Sequence, residues 1–233
     1  MPGKGGVVEG SSIRVTAGGL LAELSDDLKS VEDAIRSHPF LLSLERGNVS
    51  KDQLRAFAGE QHAIVSSDRR SFAFAASRFS TGKAGDLLLA LAQGEGVALT
   101  KLSLFARWLD LTEDELRRYE PRARAQAYPS YVAWLALNGS PSDIAFAFAA
   151  NLDAWGANCA RMAQALRTTY ESDEDTTAFF DYFGKPPPEL RDGLLAVVDE
   201  GLRAGDSPQC ARRAARLLQT FELDFWDAVA QVS

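Results

Sequence analysis

Residues 140–166 read SPSDIAFAFAANLDAWGANCARMAQAL, and this run decides the fold class. Ser140 followed by Pro141 is an N-cap with proline at the first helical position, where its missing N–H costs nothing. From Ile144 to about Leu166 the run is dominated by alanine and aromatics, with no two-residue alternation that would suit a strand. Such a helix is too apolar to keep a wide solvent face and belongs inside a bundle.

The same period extends in both directions. Asn138-Gly139 breaks the chain just upstream. Before it, Leu21, Leu24, Leu28, Val31 and Ala34 make one apolar stripe, and His38-Pro39 ends that helix. A short apolar turn follows, Phe40 to Leu44. Ser50 with Gln53 and Thr112 with Glu115 are capping boxes; the first opens a helix through Phe57, Ile64, Phe72 and Phe79. A further apolar stretch runs from Leu87 to Leu111, with Gly94 and Gly96 as weak points. The acidic run Glu171–Glu174 reads as a solvated linker, Pro186-Pro187-Pro188 as a turn, and helices are expected over 189–202 and 208–230. The expected architecture is all-α: a flexible segment over residues 1–16, then one helical bundle over 17–233.

Composition narrows the function. The chain has 233 residues, a formal charge of -7, 2 Cys and 2 His. Nucleic acid is a poor partner for an acidic surface, because phosphate binding needs net positive charge. Cys159 and Cys210 cannot make a disulfide framework, and His38 and His62 are too few for a histidine-rich metal site. The N-terminus lacks the compact apolar core of a signal peptide, and no run reaches the ~20 uninterrupted apolar residues of a membrane span. A cytoplasmic protein without metal or cofactor is expected.

Walker loops, GxSxG elbows, HExxH and CxxC are all missing from the sequence. What remains is a set of polar residues inside apolar helices, where an unpaired polar group costs a few kcal/mol. Glu222 shares a face with Phe225, and Phe221, Phe225 and Trp226 should face the core; a carboxyl there would have its pKa raised by desolvation, which suits a general acid or base. Pairing with an arginine is the structural alternative. Gln61 and Ile64 share a face with Phe57. Asn151 and Trp155 lie one turn apart, with Asp153 on another face. Tyr128 and Tyr182 sit near Pro- or Gly-marked boundaries where a phenol can point into a cleft. Arg212, Arg213 and Arg216 read as a solvated face or a subunit contact.

Ser37-His38-Pro39-Phe40 ahead of the Leu54–Phe57 helix, Asn138-Gly139-Ser140 before the alanine-rich helix, and Phe221-Glu222-Leu223-Asp224-Phe225-Trp226-Asp227-Ala228 together resemble the TenA/thiaminase II family. The resemblance covers about residues 30–230 in the same order. It implies a heme-oxygenase-type fold, a homo-oligomer (dimer or tetramer), and a pocket for an aminopyrimidine in a family that hydrolyses thiamin or its degradation products. Glu222 matches the family's catalytic glutamate and Phe225 its neighbouring pocket aromatic. Tyr128 and Tyr182 match two pocket tyrosines, and Trp155 stands where another is usual. Gln61 replaces the pyrimidine-binding aspartate and Ile64 a tyrosine one turn on. The nucleophile's position is Asn151, or Asp153 if the register slips by two; in neither case is it a cysteine. The expectation is therefore a divergent member that binds a small planar compound in an aromatic pocket, either as an atypical enzyme with Glu222 as acid/base or as a non-catalytic binding or regulatory protein.

Overall fold

In the computed structural model, residues 15–231 are described. The loose segment expected at the N-terminus therefore lies, up to residue 14, outside the described residues. Ten helices and no strand occur among the described residues: α1 (Ala17–Arg36), α2 (Pro39–Glu45), α3 (Lys51–Arg78), α4 (Gly82–Trp108), α5 (Glu113–Arg118), α6 (Ala127–Asn138), α7 (Pro141–Thr169), α8 (Glu174–Gly184), α9 (Pro188–Ala204) and α10 (Pro208–Ala230).

Local chemistry sets the boundaries. Capping boxes open α3 at Ser50, α5 at Thr112 and α7 at Ser140. His38 caps α2: its Nδ1 accepts from the Phe40 amide, while its Nε2 lies 3.1 Å from an Asp227 carboxylate oxygen on α10. The apolar turn expected at Phe40–Leu44 is thus a short helix. Gly94 and Gly96 do not interrupt α4, which runs unbroken. By length and apolar composition α4 could cross a membrane, but it packs as a bundle helix against α3, α8 and α9.

α7 runs through the middle, packed on α1, α2, α6, α8, α9 and α10, while α3 and α4 form a hairpin beside it. Phe57 is the hub of the larger core, with Phe40, Phe105, Phe180, Phe225 and Trp226 at centroid distances of 5.7–6.4 Å. Each such pair contributes about 0.5–1.5 kcal/mol beyond its buried area. Two further clusters join α7 to α1, α9 and α10, and α7 to α3, α4, α6 and α10.

Two expectations need correction. The segment after Glu171 is not only a linker: Asp173 N-caps α8, which buries Thr176, Thr177, Phe179 and Phe180. An acidic cap ahead of a short helix resembles a solvated run until its apolar face is counted. Phe221 does not enter the core; it is half-buried against Tyr131, whose ring lies 5.3 Å away. It precedes Glu222 by one position, so on a helix it points roughly 100° away from the buried face.

A candidate ligand cavity

Between the clusters the helices leave a cavity of about 300 Å³, walled by α3, α4, α6, α7, α8, α9 and α10. All eight residues singled out from the sequence lie on its wall: Gln61, Ile64, Tyr128, Asn151, Trp155, Tyr182, Glu222 and Phe225. The spacing within each helix explains this. Gln61 and Ile64 are one turn apart on α3, as are Asn151 and Trp155 on α7, and Glu222 and Phe225 on α10. Gly94 on α4 lets the Tyr182 hydroxyl approach the helix closely, since a Cβ there would come within 2.8 Å of it.

Glu222 is 2% exposed and has no arginine hydrogen-bonded or ion-paired to it among the described residues. Its Oε1 accepts from Trp226 Nε1 at 3.2 Å, and its Oε2 accepts from Asn151 Nδ2. Burial outweighs both bonds and raises its pKa to about 7. Asn151 Nδ2 also donates to Gln219 Oε1 at 3.3 Å, and Gln219 Nε2 donates to the Ala150 carbonyl at 3.0 Å. Both Nδ2 hydrogens are therefore engaged, and the group that Asn151 has left for a ligand is its Oδ1 acceptor.

The geometry separates the two candidate registers on α7. Asn151 faces the cavity, whereas Asp153 is exposed and ion-paired with Arg191. Cys159 is fully buried outside the lining, and burial pushes its thiol pKa well up, so it is no nucleophile in waiting. Of the arginine cluster, Arg212 pairs with Glu23.

Sequence reasoning missed two ionisable wall residues, Asp68 on α3 and Glu95 on α4. Asp68 is 4% exposed and its Oδ1 has no hydrogen-bond partner among the described residues. Burial first, and then the nearby Glu95, raise its pKa well above the usual carboxylate range. Burial alone raises that of Glu95 to about 8. The signal for Asp68 was available, because Gln61, Ile64, Val65 and Asp68 follow the i, i+3, i+4, i+7 pattern of a single face. Among the described residues no lysine, arginine or histidine lines the cavity. Among the described residues no three His, Cys, Asp or Glu side chains group so as to hold a metal ion.

The ten-helix arrangement is that of the heme-oxygenase-like all-α proteins. Heme oxygenase-1 from the cyanobacterium Synechocystis, in complex with heme, superposes with a TM-score of 0.64 at 12% identity over 91% of each chain. A TenA homologue from Pseudomonas syringae reaches a TM-score of 0.78 at 13% identity, covering 96% of this chain and 99% of its own. A protein described as a TenA-like thiaminase from Sulfolobus solfataricus gives 0.68 at 16% identity, covering 91% and 95%. At these identities the likeness establishes the fold alone. The sequence itself matches the TENA/THI-4/PQQC family over residues 25–231, and the chain belongs to that family. No curated protein matches it.

Proposed function

We propose that this chain binds a small, planar, nitrogen-bearing compound, of aminopyrimidine size, in the cavity and acts on it as a TenA-like hydrolase or related enzyme without a cysteine nucleophile. The environment of Glu222 carries the reading. A carboxyl with a pKa of about 7 is near half ionisation at neutral pH, so it can take a proton from an attacking water and return one to a leaving group. The wall also favours donors on the ligand: Asn151 has an acceptor to offer, Asp68 and Glu95 have carboxyls, and Trp155 and Phe225 supply ring faces. Membership of the TENA/THI-4/PQQC family supports a hydrolytic activity.

Asn151 favours a second reading. An amide cannot attack carbon as a thiolate does, so the scaffold could hold its compound without turning it over. Incubation with thiamin and with aminopyrimidines, followed by mass spectrometry, separates the two. Turnover that disappears in a folded Glu222→Gln variant supports the enzyme; turnover that survives in it refutes the acid/base role. Ligand-dependent melting shifts without turnover favour the binding protein. A homo-oligomer acting in the cytoplasm belongs to the same proposal, to be tested by sedimentation and by cell fractionation.

A further inference from the structure

We propose that the Asp68–Glu95 side of the cavity is a cation subsite that seats the ammonium group of an amine-bearing ligand between the two carboxyls. The inference deepens the cavity reading above and rests on it. Asp68 Oδ1 is buried with no partner, and burial is the one influence that raises the Glu95 pKa, with no hydrogen bond or cation offsetting it. Both side chains line the cavity. Leaving the buried Asp68 oxygen unpartnered is costly, and the nearby Glu95 carboxyl adds to that cost. An ammonium resolves both, since its three N–H donors can reach Asp68, Glu95 and a tyrosine hydroxyl together.

Among the described residues the cavity wall supplies no competing cation. α3 contributes Asp68, α4 Glu95, α6 Tyr128, α8 Tyr182 and α10 Glu222, while α7 offers Asn151 and Trp155 and α9 only Leu190 and Leu194. The Lys101 amine lies 6.0 Å from the centroid of the Tyr182 ring, and the Arg69 guanidinium lies against Gly96; neither lines the cavity. A carboxylate or phosphate on the ligand would meet only like charge here. A divalent metal would lack a third protein ligand.

Protons follow the ligand. At neutral pH Glu95 is mostly protonated, because its pKa is about 8, and Asp68 is held in the same direction. Binding an ammonium favours the ionised carboxyls, so protons leave to solvent and affinity rises as pH increases through about 8.

The test compares phenethylamine with its neutral isostere 2-phenylethanol and with phenylacetate, by calorimetric titration at pH 6.5 and 8.5. Wild-type protein should prefer the amine over the alcohol by about tenfold to a hundredfold, as expected for charge-assisted hydrogen bonds. The preference should grow at the higher pH, with proton release that scales with the buffer's ionisation enthalpy. Phenylacetate should bind weakest. In the D68N/E95Q double variant the amine's advantage over the alcohol should vanish. Neither carboxyl makes a hydrogen bond or ion pair among the described residues, so the variant should melt no lower than wild type. Equal binding of amine and alcohol to wild type, or an amine preference surviving in the double variant, overturns the cation subsite while leaving the cavity reading in place. If none of the three compounds binds, the cation subsite falls, and the cavity reading is decided separately by titration with an aminopyrimidine.

Discussion

Replacing Glu222 by glutamine isolates one buried proton. In the folded chain this carboxyl titrates at about 7, against 4.5 when solvated, because burial outweighs the bonds from Trp226 and Asn151. Below pH 4.5 it is protonated in both the folded and the unfolded chain, and its contribution is fully present. Between 4.5 and 7 the unfolded chain ionises first, so each rise in pH favours unfolding. Above 7 both states are ionised and the loss is complete. At 1.36 kcal/mol per pH unit, the cost comes to about 3 kcal/mol. Glutamine carries no such proton. It does carry an amide N–H₂ that must face either Asn151 Nδ2 or Trp226 Nε1, a donor mismatch of about 1–3 kcal/mol that does not vary with pH. Urea denaturation of both proteins from pH 4.5 to 8.5 should show the variant gaining about 3 kcal/mol on wild type across that range, whatever the fixed offset. Asp68 and Glu95 titrate in both proteins and cancel in the difference. A difference that stays flat with pH, or that bends only below pH 5, refutes the account of Glu222.

Trp226→Phe removes a hydrogen bond that lowers the Glu222 pKa, so carbon-13 NMR of the labelled carboxyl should find its midpoint above 7; the vacated space should cost about 1–3 kcal/mol in a denaturant melt. Gly59→Ala places a Cβ into the ring of Tyr119, whose hydroxyl donates to the fully buried Glu60 at 2.9 Å, and should lower stability by about 1–3 kcal/mol or more, with a correspondingly depressed melting temperature. A disulfide reagent on the native protein should modify Cys210 and leave Cys159 untouched until denaturant is added; fast reaction at both would contradict the burial of Cys159.

The bundle was legible because the alanine-rich run of α7 and the capping boxes of α3 and α5 speak locally. α8 was not, since Asp173 and Glu174 carry the charge of a loop while performing the work of a cap and first turn. On the cavity wall, Asn151, Trp155, Glu222 and Phe225 stood out as polar and aromatic neighbours at helical spacing. Glu95 could not be found that way. It lies between two glycines on a helix with apolar residues on several sides, and which of those sides meets the cavity depends on how α4 docks against α3 and α8.

The amide chain from Gln219 through Asn151 to Glu222 bears on the history of the site. Asn151 supplies hydrogens to two buried acceptors at once. A cysteine at position 151, the residue type the family's nucleophile would require, has one weak donor for both. The exchange would orphan either Gln219 Oε1 or Glu222 Oε2, at about 1–3 kcal/mol, before any chemistry was gained. Since Glu222 stays with the thiol in the family's own pattern, Gln219 is the residue whose change would relieve the acceptor that an Asn151→Cys exchange leaves behind.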